Sequence, residues 1–300
     1  METTGSRSFR SLMEKPGLIV APGCHDALGA RIAEKLGFRA VYMSGNATSA
    51  ACMGRPDIGL LGMSEMVTHA RGIASAVKIP VICDADTGYG GVDNVARTVQ
   101  EYEAAGVAAI HIEDQVIPKK CGAMPGVEVV DFEDAVARVQ AAVKARRNPE
   151  FSIIARTDAR AAVDFEEALR RARAFAAAGA DLVYIEDLQS REEIEEVPRK
   201  VPSVPLMFDV LEAWSWTNIP LVELEKMGYK VVIYCLTATM AYAKAIQEVL
   251  GAILEMGHTQ GISTRLMGLH EYEEILGLPE IDARRAELSD EAKQYCSEEV

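Results

Sequence analysis

The sequence predicts an α/β fold, a (β/α)8 TIM barrel with a C-terminal helical extension, and three observations support this prediction. Short apolar runs alternate eight times with longer segments whose apolar residues recur at helical spacing. Most of these runs are apolar throughout, as expected for parallel strands that are buried on both faces. No G-x-G-x-x-G pattern follows the first run, so the main alternative, a doubly wound sheet, lacks its usual signature.

The elements follow from these runs in chain order. The predicted strands are Leu18–Ala21, Ala40–Met43, Pro80–Cys83, Ala109–Ile112, Ser152–Ala155, Leu182–Ile185, Pro205–Phe208 and Lys230–Tyr234. The clearest helices are Val92–Ala105, Phe132–Arg146, Phe165–Ala178 and Arg191–Lys200. The glycines predicted to end helices at C-cap positions are Gly37, Gly106, Gly179 and Gly228. Because the alternation stops near residue 261, we expect an N-terminal segment (1–16), a catalytic barrel (17–260) and a helical extension (261–300).

Composition excludes several classes of partner. The chain of 300 residues has a net charge of −14, which disfavours nucleic acid and anionic membranes, because both require basic patches. No segment approaches the roughly 18 consecutive apolar residues of a membrane span. The N-terminal stretch 1–14 lacks the features of a signal peptide, and the six cysteines form no C-x-x-C pair. We therefore expect a cytoplasmic protein with reduced thiols.

Polar side chains stand at the carboxyl ends of six predicted strands. They are Ser44, Gly45 and Asn46, then Asp84 and Asp86, Glu113 and Asp114, Arg156 and Asp158, Glu186 and Asp187, and Asp209. Any one acid could be a helix N-cap, a position that Asp and Asn favour. In a barrel, however, these strand ends share one face, where active sites are built. The whole set, with its arginine, therefore indicates a site.

Clustered carboxylates indicate a cation, because they repel one another without one. Asp84, Asp86 and Glu113 are the predicted ligands, and Mg²⁺ suits them best, with Mn²⁺ as a substitute. The absence of His or Cys at ligand spacing disfavours Zn²⁺. His111 lies in the fourth predicted strand, two residues before Glu113, and we favour a role in lining the barrel over a role as a metal ligand. His25, after the first strand, is a weaker candidate for a ligand.

A loop predicted over Gln115–Val130 is rich in Gly and Pro and is a natural lid on the catalytic face. It contains Cys121 next to Lys119 and Lys120. Two neighbouring ammonium groups are expected to favour the thiolate, which suits proton transfer or nucleophilic work.

These residues resemble the isocitrate lyase/phosphoenolpyruvate mutase superfamily over roughly residues 17–251. The matching segments are Tyr42–Gly45, Asp84–Gly90, His111–Gln115, Lys119–Gly122, Ala155–Ala159 and Tyr184–Glu186. The resemblance implies a Mg²⁺-dependent barrel enzyme whose last helix is often exchanged between subunits of a dimer of dimers. It also implies an α-oxycarboxylate substrate that reacts through an enolate of pyruvate or glyoxylate.

Within the superfamily, the loop Lys119–Gly122 is similar to the lyase branch that includes methylisocitrate and dimethylmalate lyases. This resemblance makes Cys121 the general acid, places Tyr42 near the reacting carbons, and assigns Arg156 to the reacting oxygen. Glu186 would orient the lid and the substrate. The residues implied to bind substrate are Ser44, Gly45, Asn46, Asp84, Lys119, Gly122 and Asp209, beside the metal ligands Asp84, Asp86 and Glu113.

The chain departs from this branch where the substrate's far end would bind. Ala123 replaces a histidine, Asp209 replaces an asparagine, and Cys235 replaces a proline, while Trp214 and Trp216 add bulk. The lost donors and the added carboxylate favour a smaller, malate-type substrate.

The resemblance therefore implies a Mg²⁺-dependent carbon–carbon lyase that is active as a homo-oligomer, a tetramer built as a dimer of dimers. Its substrate is a small anionic carboxylate, a 2-hydroxy di- or tricarboxylate of the 2,3-dimethylmalate or methylisocitrate type. Cleavage yields pyruvate or glyoxylate and a second acid. The alternatives are oxaloacetate decarboxylation, phosphonate mutase or hydrolase chemistry, and an inactive barrel that serves as a binding subunit.

Overall fold

The computed structural model describes residues 8–298, and its centre is a sheet of eight parallel strands. The strands are β1 (Ile19–Pro22), β2 (Val41–Met43), β3 (Val81–Asp84), β4 (Ala109–Glu113), β5 (Ser152–Thr157), β6 (Leu182–Ile185), β7 (Leu206–Asp209) and β8 (Val231–Tyr234). From β2 to β8 each strand pairs with the next one in the sequence, and β8 also pairs with β1. A bridge between Gly23 and Tyr42 joins β1 to β2, with the Cys24 amide donating to the Tyr42 carbonyl over 2.7 Å. The predicted barrel is confirmed.

Helices connect the strands and surround the sheet. They are α1 (Phe9–Glu14), α2 (Ala27–Lys35), α3 (Gly45–Met53), α4 (Met63–Ala76), α5 (Val92–Ala104), α6 (Phe132–Ala145), α7 (Ala159–Ala162), α8 (Phe165–Ala177), α9 (Arg191–Lys200), α10 (Leu221–Met227), α11 (Thr237–Met256), α12 (Leu269–Leu276) and α13 (Leu278–Glu298). A 3₁₀ helix spans Gln260–Arg265. No helix within residues 8–298 is long and apolar enough to cross a membrane.

The predicted strands agree with the structure to within two residues. The main difference is at their carboxyl ends, because β3, β4 and β7 extend to include Asp84, Glu113 and Asp209. Ladder pairing continues through these acids, as in the register of Asp84 with His111 and of Glu113 with Arg156. These three carboxyl side chains therefore project from the strand ends rather than from loops.

The predicted glycine stops are real but shifted. Gly37, Gly106 and Gly179 lie one residue beyond the C-cap, with φ of 95°, 83° and 98°, whereas Gly228 is itself the C-cap. This offset is the usual place of a left-handed residue, because helical backbone angles end at the residue before it.

Two apolar layers hold the barrel together. Inside it pack strand residues such as Ile82, Ile154 and Ile233, and α1 adds Phe9, which is fully buried. The second layer lies between the strands and the outer helices. Because Phe9 packs with residues at the starts of the strands, α1 fills the amino-terminal end of the barrel and leaves polar residues to the other end.

The chain divides into two compact units at Ala241 and Tyr242. The first contains the barrel, and the second contains most of α11, the 3₁₀ helix, α12 and α13. The boundaries 1–16, 17–260 and 261–300 stay a prediction. Residues 1–7 and 299–300 of those segments lie outside the described residues.

Candidate active site at the carboxyl ends of the strands

Neighbouring strands bring the predicted polar residues into one cleft. Its lining includes Tyr42, Ser44, Asn46, Asp84, Lys119, Cys121, Gly122, Arg156, Glu186 and Asp209, around about 410 Å³ of empty volume. Gly45, Asp86 and Glu113 do not line this cleft but lie next to residues that do. A larger groove outside the barrel, beside Cys52 and His69, has about 1180 Å³ of empty volume and a mainly apolar lining. The convergent charges favour the cleft as the active site.

Three buried side chains next to the cleft form a candidate metal site. Ligand atoms of Asp84, His111 and Glu113 lie within 4.8 Å of one another. Neither oxygen of Glu113, nor Nδ1 of His111, has a hydrogen-bond partner among the described residues. Buried polar atoms normally have partners, so these orphaned atoms fit a cation.

The expectation that no histidine lies at ligand distance is wrong. The ladder register sets His111 directly beside Asp84, with Nε2 at 3.7 Å from Oδ1, and places it in the ligand group. Burial lowers the pKa of His111 to about 4, so the ring is neutral and able to coordinate at neutral pH. Nε2 also lies 2.6 Å from the Tyr42 hydroxyl, so His111 lines the barrel interior as predicted.

Lys119 occupies a buried position between two acids. Its Nζ lies 2.5 Å from Asp86 Oδ1 and 2.8 Å from Asp57 Oδ1. Burial alone would lower the pKa of Lys119, but Asp86 and its acidic neighbours raise it well above its ordinary value. The ammonium group is therefore permanently charged. Sequence reasoning missed Asp57, which lies in the connection between α3 and α4 and carries no strand-end signal.

Arg156 is held by carboxylates on several sides. Its Nε and Nη2 donate to the two oxygens of Asp158 over 2.9 and 2.7 Å. Glu113 and Glu186 each approach within 3.5 Å. This bidentate pair fixes the plane of the guanidinium group, so its charge has a set position in the cleft.

Tyr184 and Glu186 form the wall next to Arg156. The Tyr184 hydroxyl donates to Glu186 Oε2 in a short hydrogen bond. Burial raises the pKa of Glu186 to about 7, although Arg156 acts in the opposite direction. Glu186 therefore exists in both protonation states near neutral pH.

The loop carrying Cys121 lies against the cleft. The Cys121 amide donates to the Asp57 carbonyl over 2.9 Å, and Asn46 Nδ2 lies 3.4 Å from the thiol sulfur. Burial raises the pKa of Cys121, so the predicted thiolate is wrong. The ammonium group of Lys119 is bound to Asp57 and Asp86, and that of Lys120 donates to the Gly126 carbonyl. Cys121 is a neutral thiol, a proton donor.

Ser44 is the N-cap of α3, and Gly45 is the first residue of that helix. Ser44 Oγ accepts from the Ala47 amide, and the Gly45 amide donates to Asp84 Oδ2 over 3.0 Å. A Cβ on Gly45 would lie 2.5 Å from that same oxygen. Glycine is thus required here by the close approach of Asp84.

Asp209 and Cys235 form the opposite wall, where Leu211 and Leu236 also line the cleft. The Cys235 thiol donates to Asp209 Oδ2 over 3.0 Å, and desolvation raises the pKa of Asp209 to about 6.

The two tryptophans do not line this cleft, contrary to the expectation that they narrow it. Trp214 lines a smaller adjoining cavity and stacks on Trp216. Trp216 in turn donates its indole N–H to the Leu188 carbonyl. Bulk beside Asp209 and Cys235 is therefore supplied by Leu211 and Leu236, not by the tryptophans.

Comparisons with known proteins agree with this geometry. The phosphoenolpyruvate phosphomutase family profile matches residues 9–254. The chain is 43% identical over 273 residues to 2,3-dimethylmalate lyase from Eubacterium barkeri, covering 91% of this chain and 94% of the relative. It is 41% identical over 289 residues to 2-methylisocitrate lyase from Aeropyrum pernix, covering 96% and 92%.

A solved structure gives the same result. A crystal structure of 2,3-dimethylmalate lyase superposes with a TM-score of 0.89 at 35% identity, covering 96% of each chain. The family match spans most of the chain, and the sequence relatives compared above are lyases. The chain therefore belongs to the phosphoenolpyruvate mutase/isocitrate lyase superfamily, as a carbon–carbon lyase.

Proposed function

We propose that this lyase cleaves a 3-alkyl-2-methylmalate, of which 2,3-dimethylmalate is the simplest, into pyruvate and a second carboxylic acid. The observation that carries the proposal is the set of groups that the cleft brings together. Arg156 and the group of Asp84, His111 and Glu113 lie beside a neutral Cys121 thiol on the loop, and Asp209, Leu211 and Leu236 complete the lining.

Asp84, His111 and Glu113 would hold a divalent cation, and we propose Mg²⁺, with Mn²⁺ as a substitute. Their unpartnered buried atoms support this assignment. A bound ion would supply positive charge that stabilises the substrate alkoxide from which the carbon–carbon bond breaks. Asp86 is bound to Lys119, and in this proposal it would reach the ion through water.

The chain's own residues bind the substrate and move the proton. Arg156, fixed by Asp158, places its charge at the reacting oxygen, and the Tyr42 hydroxyl is held by His111 next to the reacting carbons. The 2-hydroxyl of the substrate gives its proton to a base, for which the cleft supplies Glu186 with its pKa of about 7, and the alkoxide electrons form the pyruvate carbonyl as the bond breaks. Cleavage leaves an electron pair on the carbon of the departing acid. Cys121 delivers its thiol proton to that carbon, which its raised pKa permits.

The part of the cleft lined by Asp209, Leu211 and Leu236 favours a substrate with two carboxylates over one with three. The two buried cations that line the cleft are already bound to acids, Lys119 to Asp57 and Asp86, and Arg156 to Asp158. A third carboxylate near Asp209 would meet a like charge and the apolar side chains of Leu211 and Leu236. An alkyl group fits that wall better.

A substrate panel tests the proposal. Purified protein is incubated with 2,3-dimethylmalate, methylisocitrate, isocitrate, malate, oxaloacetate and phosphonopyruvate, with Mg²⁺, with Mn²⁺ or with chelator. We expect metal-dependent pyruvate release, with kcat/KM for dimethylmalate at least about tenfold above that for methylisocitrate. A preference for a tricarboxylate, for oxaloacetate or for the phosphonate would overturn the substrate assignment, and no product from any acid would indicate an inactive barrel.

We also propose a cytoplasmic homo-oligomer, a tetramer in which α11 is exchanged between subunits. All six cysteines are free, which supports a reducing compartment. Helix α11 contains no buried residue in the single chain. This helix has 20 residues and several exposed apolar side chains, which supports the proposal that another subunit covers them.

A further inference from the structure

A single amide side chain connects the Cys121 loop to the carboxylate that holds Arg156. Gln115 Nε2 donates to the Lys120 carbonyl over 2.9 Å and to Asp158 Oδ1 over 3.0 Å. Gln115 Oε1 accepts from the Lys120 amide over 2.9 Å. Both backbone groups of the residue before Cys121 are thus bound by one side chain, which also touches the partner of Arg156.

We infer that Gln115 is a positioning residue that sets the place of the Cys121 thiol relative to Arg156. The inference rests on the proposed function only in assigning Cys121 and Arg156 to the reaction. We call the hydrogen-bonded connection from Lys120 through Gln115 to Asp158 the latch. Its hydrogen bonds are present without substrate.

The fixed end of the latch is rigid. Asp158 is fully buried and accepts two hydrogen bonds from Arg156, while its own amide donates to Asp114 Oδ1 over 2.9 Å. Asp114 is held in turn by Arg171, whose Nη1 donates to Oδ2 over 2.9 Å. The Gln115 carbonyl also accepts from Arg138 over 2.9 Å. Motion at this junction is therefore left to the loop.

The loop end of the latch needs close positioning. A Cβ on Gly122 would lie 2.5 Å from Arg156 Nη2 and 2.4 Å from Glu186 Cγ, so the loop backbone rests directly on these side chains. Across the cleft, the Asp57 carbonyl accepts from the Cys121 amide. The latch binds the loop to Gln115, which follows β4. Its position matters because a shift of about 1 Å in a reacting group can lower the rate about 100-fold.

Only an amide can make all three hydrogen bonds at once. A carboxylate at residue 115 would still accept from the Lys120 amide but would repel the Lys120 carbonyl and Asp158. Because Gln115 is only 1% exposed, water does not replace the lost partners. This difference allows a nearly isosteric test.

The experiment compares Gln115→Glu and Gln115→Met with the wild type and with Gln100→Glu, the same change on the outer helix α5, where Gln100 contacts Arg147. Two readouts are taken, namely steady-state kinetics on the best substrate of the panel and the alkylation rate of Cys121, resolved by peptide mass spectrometry. Thermal melting verifies folding. Gln115→Met serves if the buried charge of the glutamate variant prevents folding.

We expect kcat to fall about 10- to 100-fold in both Gln115 variants, with a smaller change in KM. Alkylation of Cys121 should accelerate at least about fivefold, since the loop loses its hold. Gln100→Glu should match the wild type. If Cys121 is alkylated at the wild-type rate in a folded Gln115 variant, the inference is overturned, whatever the activity of that variant. A wild-type enzyme without activity on the whole panel would instead refute the proposed function, and alkylation would still test the latch.

Discussion

At Cys121, burial rather than neighbouring charge decides the protonation state of the thiol. The two adjacent lysines favour a thiolate when read along the sequence, but their ammonium groups point to Asp57, Asp86 and the Gly126 carbonyl. Desolvation then dominates and raises the pKa of Cys121. A neutral thiol can donate a proton but is a poor nucleophile.

Replacing Cys121 with serine should therefore stop the reaction without emptying the site. A hydroxyl is a much weaker acid, so we expect kcat to fall about 1,000-fold, within the usual range for loss of a general acid. Affinities for Mn²⁺ and for pyruvate, measured by calorimetry, should stay within about twofold. Cys52→Ser, an exposed thiol outside the cleft, is the matched control. Undiminished turnover of Cys121→Ser would remove the acid from the mechanism.

Glu186 links the site to the pH dependence of stability. Burial raises its pKa from an ordinary 4.5 to about 7, so the folded chain holds this proton more tightly than the unfolded chain. That stabilisation is complete below pH 4.5 and disappears as the pH rises through 7.

We accordingly expect the metal-free wild type to lose on the order of 1–3 kcal/mol of unfolding free energy, relative to Glu186→Gln, between about pH 5 and pH 8. Urea denaturation across this range measures the difference. Glu150→Gln, an exposed acid, should follow the wild type. Parallel pH profiles for Glu186→Gln and the wild type would show that the carboxyl is ionised at all these pH values.

Among the elements, strands were the most predictable from sequence and the contacts of loops the least. A strand that is buried on both faces reads as a continuous apolar run, so all eight strands were found. The face shared by His111 and Glu113 was also readable from their spacing of two. The place of His111 beside Asp84 depends on the register of two strands, and the contact of Asp57 with Lys119 depends on the packing of the connection between α3 and α4. Neither is encoded in local periodicity.

The loop carrying Cys121 should tolerate no side chain at Gly122. A Cβ there would lie 2.4 Å from Glu186 Cγ and would displace the loop from Arg156 and Glu186. We expect Gly122→Ala to lower kcat/KM at least about 100-fold while circular dichroism and melting change little. Gly72→Ala is the control, because nothing lies within 4 Å of its added Cβ and alanine favours helix α4. Full activity of Gly122→Ala would mean that the loop is not required to rest on these side chains.

For the molecule as a whole, net charge and local charge have different meanings. The chain carries a charge of −14, yet its cleft is suited to an anion. Lys119 and Arg156 are buried there, and the ligand cluster is suited to a divalent cation. In a low-dielectric cleft such nearby charges outweigh distant surface acids, which salt screens over about 8–10 Å. Sequence composition therefore excludes polyanionic partners but not a small carboxylate.

Helix α11 indicates how chains would assemble. Its exposed apolar side chains Tyr242, Ile246, Leu250 and Leu254 recur every four residues and form one stripe. Lys244 and Glu248 lie on the opposite side and form an ion pair of 3.6 Å. A stripe of this kind is stable in water when another surface covers it.

If the stripe is covered by a partner subunit, charges placed on it should separate the chains. We expect Leu250→Glu combined with Leu254→Glu to convert the proposed tetramer into smaller species in light scattering coupled to size exclusion. The reason is that burying two carboxylates in an apolar contact costs several kcal/mol. Lys244→Glu changes the net charge by the same amount on the opposite face and should leave the assembly intact. An unchanged mass for the double variant, or a wild-type chain that is monomeric from the start, would show that α11 is not the contact between subunits.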